Sequence, residues 1–200
     1  MSSDLNQNWK PEFGTIYTWY GVDKNGIIGV FVNNCWGGLP KCLLRVDNAE
    51  ELLDSISEYL YEESEVFSPI SPDKNGDYTV DMFPAWRGQK TKEKVKQYHD
   101  EIFINNRLSS EANFAKNKGV FIYYAVEGSY PGNDYPVGYE GDTEMGDYYR
   151  YLVPTIYGGI EDFPQELREG FAIADSLDFT VDRLIANKDI NEHFERMFGE

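Results

Sequence analysis

Three consecutive stretches, FGTIYTWYGV (13–22), DKNG (23–26) and IIGVFV (27–32), decide how this chain folds. The two flanks are rich in β-branched and aromatic residues, which suit a pleated, half-buried surface. Between them Asn25-Gly26 offers the positive φ angles that a tight reversal demands. The spacing predicts a strand over 13–22, a turn over 23–26 and a returning strand over 27–32. A lone two-stranded hairpin is marginal in water, so the rest of the chain must supply neighbours for it.

Working outward, 33–40 (NNCWGGLP) is a turn-rich connection carrying Trp36. Asn48 is placed to cap a helix, with Glu51 three residues on to complete a capping box. Leu52, Leu53, Ile56 and Leu60 recur at helical spacing, so an amphipathic helix is predicted over 49–61. Residues 62–88 hold Pro69, Pro72, Gly76, Pro84 and Gly88 and read as loop, with one short strand near 78–82. A helix over 90–103 would present Val95, Tyr98 and Ile102 on one face. A second helix over 105–118 would end at Gly119.

The run VFIYYAV (120–126) is continuous and β-rich, which predicts a central strand. Residues 128–146 carry Pro131, Pro136 and five glycines and read as a long loop. YYRYLVPTI (148–156) reads as a strand with Pro154 near its end or at an edge. Asp162 and Pro164 suit the start of a helix in which Leu167 and Phe171 lie one turn apart. A last strand is expected over 179–185. A final helix is expected with Asp189 as its cap, Glu192 as N3 partner, and Ile190, Phe194 and Met197 facing inward. The pattern predicts one α+β domain over 13–200, a mixed, mainly antiparallel sheet with flanking helices, after a flexible segment over 1–12.

Composition narrows the function. Of 200 residues, 41% are hydrophobic and 16% aromatic, which is far too much for an acidic disordered tail. Lys and Arg number 18 against 35 Asp and Glu, a net charge of −17. Such a field repels nucleic acid and anionic lipid, both of which reward cations, and attracts basic proteins. The N-terminus lacks an apolar signal core and no run approaches membrane-spanning length, so a cytoplasmic protein is expected.

Signatures of chemistry are missing. The chain has no phosphate-cradling G-x-x-x-x-G-K-[ST], no H-E-x-x-H and no G-x-S-x-G. The segment Asp73-Lys74-Asn75-Gly76-Asp77 fails as a calcium loop, because Tyr78 stands where glycine is needed and Pro84 where the bidentate glutamate belongs. Cys35, Cys42, His99 and His193 lack the short paired spacings of a zinc site. Cys35 and Cys42 could pair, though nothing else suggests a disulfide scaffold. His99, beside the inward stripe of its helix, reads as a hydrogen-bonded structural histidine, and His193 as solvated. No catalytic residue, metal ligand or cofactor is assigned.

Two charge features stand out. Residues 127–149 contain Glu127, Asp134, Glu140, Asp142, Glu144 and Asp147 without any Lys or Arg, interleaved with Tyr130, Tyr135, Tyr139, Tyr148 and Tyr149. Tyrosine gives contact area at low entropic cost, and carboxylates steer and pair with cations. A partner-binding surface is therefore expected from Trp36, Tyr130, Asp134, Tyr135, Tyr139, Glu140, Asp142, Glu144 and Asp147. The alternative is a solvated loop whose tyrosines fold back on the sheet. The second feature, Arg87, Lys90, Lys92, Lys94 and Lys96, reads as a solvated helix face or as a local neutraliser of the acidic field.

The succession from Tyr17 to Phe31 (YTWYGVDKNGIIGVF) resembles the opening of an uncharacterised bacterial family of polymorphic-toxin immunity-type proteins. Gly119 to Tyr124, then Tyr149 to Pro154, then Phe163 to Leu167 are similar to its later landmarks. The resemblance implies an immunity protein that neutralises a cognate toxin and brings no catalytic residues; the acidic charge adds the expectation that this partner is basic. Two other readings stay open: an enzyme using carboxylates in an aromatic cleft, and a carbohydrate-binding module built on Trp36 and the tyrosines.

Overall fold

In the computed structural model, which describes residues 5–85, 88–128, 130 and 133–200, the hairpin forms from β1 (Thr18–Val22) and β2 (Ile28–Val32). They pair antiparallel from Thr18↔Val32 to Val22↔Ile28. The first strand is shorter than the sequence predicts. Gly14 takes a left-handed φ of 91°, and Thr15 donates back to the Glu12 carbonyl, so 13–17 bends away instead of extending. The reversal also differs in detail, because only Gly26 takes positive φ there. Buried Asp23 does the rest: its carboxylate accepts from the amides of Asn25 and Ile27, and from Phe179 far along the chain.

Further strands build outward on both sides. They are β3 (Tyr78–Val80), β5 (Phe121–Ala125), β7 (Tyr148–Pro154), β8 (Phe171–Ile173), β9 (Leu184–Ile185) and β10 (Arg196–Met197). The sheet runs β10–β8–β1–β2–β5–β7–β3, with β9 added along β7. Pairings β1–β8 and β2–β5 are parallel and the others antiparallel, so the sheet is mixed and mainly antiparallel, as the sequence predicts. The run predicted as a central strand does lie between β2 and β7. A two-residue ribbon, β4 (Phe83–Pro84) with β6 (Pro136–Val137), adds strands inside both stretches read as loop.

One face of the sheet carries a cluster of rings. Phe31 stacks on Trp19 at 4.1 Å and on Tyr123 at 4.9 Å, and meets Tyr148, Phe179 and Phe194 edge-on. Space for it comes from the ladder pair Gly21↔Gly29. A Cβ on Gly21 would stand 2.7 Å from the Phe194 ring, and one on Gly29 would stand 2.9 Å from those of Phe179 and Phe31. The opposite face is covered by α2 (Ala49–Leu60) and α3 (Lys92–Asn105). Buried Ile56 of α2 reaches Gly170 just before β8, and the imidazole of His99 in α3 meets the Tyr151 hydroxyl at 2.6 Å.

Several expected details give way to tertiary demands. Asn48 precedes α2 but makes no side-chain cap, whereas Thr91 caps α3 through the Lys94 amide. His99, not Tyr98, fills the buried position of α3, because Tyr151 supplies a partner for its ring. The stretch 105–118 breaks into a 3-10 turn, α4 (Glu111–Asn113) and a wide turn, ending at Gly119 as expected. Helix α5 (Gln165–Arg168) stops early and Phe171 opens β8, since β1 offers it a pairing edge. Only Leu184–Ile185 of the stretch 179–185 is strand; Phe179 plugs the ring cluster instead. Helix α6 (Ile190–His193) is short and lacks an Asp189 side-chain cap, yet Ile190, Phe194 and Met197 are all buried. Cys35 and Cys42 are free and buried, the latter in α1 (Lys41–Leu44). No helix among the described residues is long and apolar enough to cross a membrane.

Candidate partner-binding surface

Where β2 and β5 end and β7 begins, three segments distant in sequence converge. After β2, buried Asn33 fixes a turn by accepting from the amides of Trp36 and Gly37, while its side chain accepts from the Tyr17 amide at 2.7 Å. Asn34 and Cys35 take left-handed φ angles of 44° and 69°, which swings Trp36 outward from the sheet end to a half-buried position. The side-chain amide of Asn34 donates to the Ala125 carbonyl at the end of β5.

The acidic loop closes on this turn. Gly146 takes φ 93°, and a Cβ there would lie 2.5 Å from the Trp36 carbonyl, so the two backbones touch. Asp147 accepts from the amides of Glu144 and Asn187, both at 2.8 Å. Asn187 in turn accepts from the Gly38 amide at 2.7 Å. The Tyr148 hydroxyl donates to the Gly38 carbonyl at 2.9 Å and accepts from the Trp19 indole at 3.0 Å. Two loops are thus riveted to the ring cluster by a continuous chain of hydrogen bonds.

The nine residues nominated from sequence fall into distinct roles. Trp36 and the stretch 144–147 are brought together. Glu140, Asp142 and Glu144 are exposed and make no ion pair among the described residues, with Met145 exposed between Glu144 and Gly146. Asp147 faces inward, 6% exposed, because two backbone donors claim its carboxylate. Tyr139 is half-buried against the core, and the Tyr135 hydroxyl donates to the Gly141 carbonyl. Asp134 takes a left-handed φ and is half-buried. Tyr130 is exposed. Tyr148 and Tyr149 do fold back, and both are buried.

The first half of the loop is held elsewhere, on β4 and on a charged knot. Ala85 donates to the Tyr135 carbonyl, and Arg183 donates to the Gly138 carbonyl. Arg183 and Arg150 both clasp Asp81, at 2.7 and 2.8 Å. Burial alone would push the Asp81 carboxyl up. The two guanidinium groups outweigh that and hold it below the usual carboxylate range. In the basic run, Lys92 lies 3.9 Å from Asp81 and Lys96 bridges Asp77 and Asp100, which fits a local neutraliser; Arg87 lies outside the described residues.

The frame residues Asn187, Gly38 and Gly146 carried no sequence signal, since their partners lie up to 149 positions away. The other candidate chemistry is thin. His193 and Ser176 meet at 2.8 Å on exposed surface, and the described residues hold no cluster of three or more metal-ligating side chains. Each carboxyl with a displaced pKa, namely Asp77, Asp81, Glu93, Asp175 and Asp178, is displaced downward, opposite to a general acid. Fold and surface together define a single α+β domain in which the turn carrying Trp36 and the 144–147 end of the acidic loop meet at one end of the sheet. No known protein family, no curated protein and no solved structure matches the chain.

Proposed function

We propose that this chain is a binding protein of the immunity type, which neutralises a basic toxin by covering its charged surface. The observation that carries the reading is the exposed acidic loop with Glu140, Asp142 and Glu144, none of them in an ion pair among the described residues, whose 144–147 end is held by hydrogen bonds against the turn that carries Trp36. Preorganised loops lower the ordering cost of association, and an aromatic anchor ringed by charges is the usual anatomy of a tight contact. The net charge of −17 steers a cationic partner toward it.

The test is capture from native lysate with this protein as bait, washed at low and at high salt. A basic partner that is retained at low salt and released as salt rises supports the reading. The triple variant Glu140→Lys, Asp142→Lys, Glu144→Lys should slow association about tenfold or more while leaving the melting temperature near wild type. Undiminished capture by that variant would place the interface elsewhere. No partner at low salt, together with a host that tolerates loss of the chain, would refute the immunity reading.

A further inference from the structure

Cations are the scarce charge here, 18 against 35 carboxylates, and many lie on an acid: Lys74 on Asp162, Lys118 on Glu62, Arg150 on Asp81, Arg196 on Asp175. Lys10, Lys41 and Arg45 do not. Among the described residues none of the three forms an ion pair and all three are exposed; Lys10 and Lys41 line one groove, and Arg45 lines a hollow that adjoins it at Lys41. This groove, of about 470 Å³, lies between the N-terminal arm, the turn after β2 and α6. Trp9, Lys10, Leu39, Lys41, Leu44 and Asn191 are among its lining, together with the polar Gln7 and Asn8. A smaller hollow of about 100 Å³ shares Lys41 and Leu44 and adds Arg45. No carboxylate lines either one.

The walls are fixed. Within the segment expected to be flexible, Leu5 is buried and its amide donates to Glu50, which also accepts from the Tyr17 hydroxyl. Trp9 packs edge-on against Tyr17 at 5.8 Å. The Lys41 amide is satisfied by the Asn191 side chain at 2.8 Å, which leaves its ammonium as the group offered to a ligand. A volume in the range of about 300–1,000 Å³ with a mixed apolar and cationic lining suits a small-molecule site.

We propose that this groove binds a compact, doubly charged anion with an apolar body: the charge between Lys10, Lys41 and Arg45, the body against Trp9 and Leu39. Phosphate monoesters and small dicarboxylates share that chemistry. The surrounding field selects for compactness. Within a screening length of about 10 Å a small dianion stays beside the lining cations, whereas the rest of an extended polyanion would lie over acidic surface. The proposal does not rest on the immunity reading.

The probes are phenyl phosphate and phthalate, titrated by calorimetry and by proton–nitrogen NMR, with the Trp9 indole signal assigned through Trp9→Phe. Saturable binding of either probe, with the Trp9 indole shifting, is the expected result. If phenyl phosphate alone binds, the ligand is a phosphate ester; if phthalate binds equally, charge and shape suffice. Lys41→Ala and Arg45→Ala should each weaken binding about tenfold, the loss of one charge-assisted hydrogen bond, while Lys94→Ala on α3 leaves it unchanged. Both probes failing to saturate, or affinity unaltered in the Lys41→Ala, Arg45→Ala double variant, would overturn the proposal.

Discussion

Two buried groups show how far single side chains are governed by their surroundings. Burial pushes the Cys42 thiol up to about 11, and the thiolate is the reactive form. In the native protein at about pH 8, Cys42 should therefore resist iodoacetamide, and should label readily once urea unfolds the chain. Rapid native labelling, read by mass spectrometry, would contradict its burial. Asp81 works in the opposite sense. Its folded pKa is depressed below the unfolded value of about 3.9, so its contribution is complete above that value and is lost as pH falls through the folded one. Asp81→Asn should cost about 2–4 kcal/mol at neutral pH and flatten the acid limb of stability, measured as urea midpoints between about pH 2 and pH 7. An unchanged acid limb would mean that the knot with Arg150 and Arg183 is energetically idle. At this scale the sequence was legible for His99, whose helical position foretold a structural role. It misled at Asp147, an acid among glycines and tyrosines whose backbone donors come from Glu144 and from Asn187, 40 residues on.

Elements were legible in proportion to how much they owe to local pattern. The hairpin, α2, β5 and β7 carry their own periodicity and appear where expected. The C-terminal pieces do not. β8 exists because β1 offers a parallel edge at Tyr20 to Val22, and β9 because β7 offers one at Tyr148 and Tyr149. No local propensity announces β8, whereas β9 lies inside the strand expected over 179–185 and survives only where β7 pairs with it. The paired glycines of β1 and β2 look like weak points in a strand, yet they make the room that the Phe179 and Phe194 rings fill. Gly21→Ala and Gly29→Ala should each lower stability by about 1–3 kcal/mol through overpacking, although alanine suits a strand better in isolation. Chemical denaturation gives the answer, and a neutral or stabilising outcome would mean that the ring cluster repacks freely. In the loop frame, Asn187→Ala should speed amide exchange at Gly38 and Glu144 while the β2 and β5 amides stay protected, with about 1–2 kcal/mol lost. Uniform loss of protection would show that the frame is no separate unit.

For the whole molecule, the net charge of −17 sets two opposing responses to salt. Screening weakens the ion pairs, but exposed pairs contribute only about 0–1 kcal/mol each. It also relieves repulsion among carboxylates that outnumber the cations nearly two to one, and that term is the larger. The melting temperature should therefore rise between low salt and about 0.15 M, where the screening length falls to about 8 Å. A fall over that interval, followed by scanning calorimetry, would show that the pairs around Asp81 and Lys118 dominate instead.

The sequence by itself determined the α+β class, the hairpin, the long amphipathic helix, the central strand and the acidic character of 127–149. These follow from periodicity, turn residues and net charge, each of which is written locally. Only the tertiary structure decided strand order, the parallel pairings of β8 and β5, the ring cluster over Gly21 and Gly29, and which acids face water. It also joined Trp36 to the loop at Gly146 and opened a cationic groove between the arm, the turn after β2 and α6. Those features arise where residues as far apart as Gly38 and Asn187 must satisfy one another's backbone groups, and no local pattern records such a requirement.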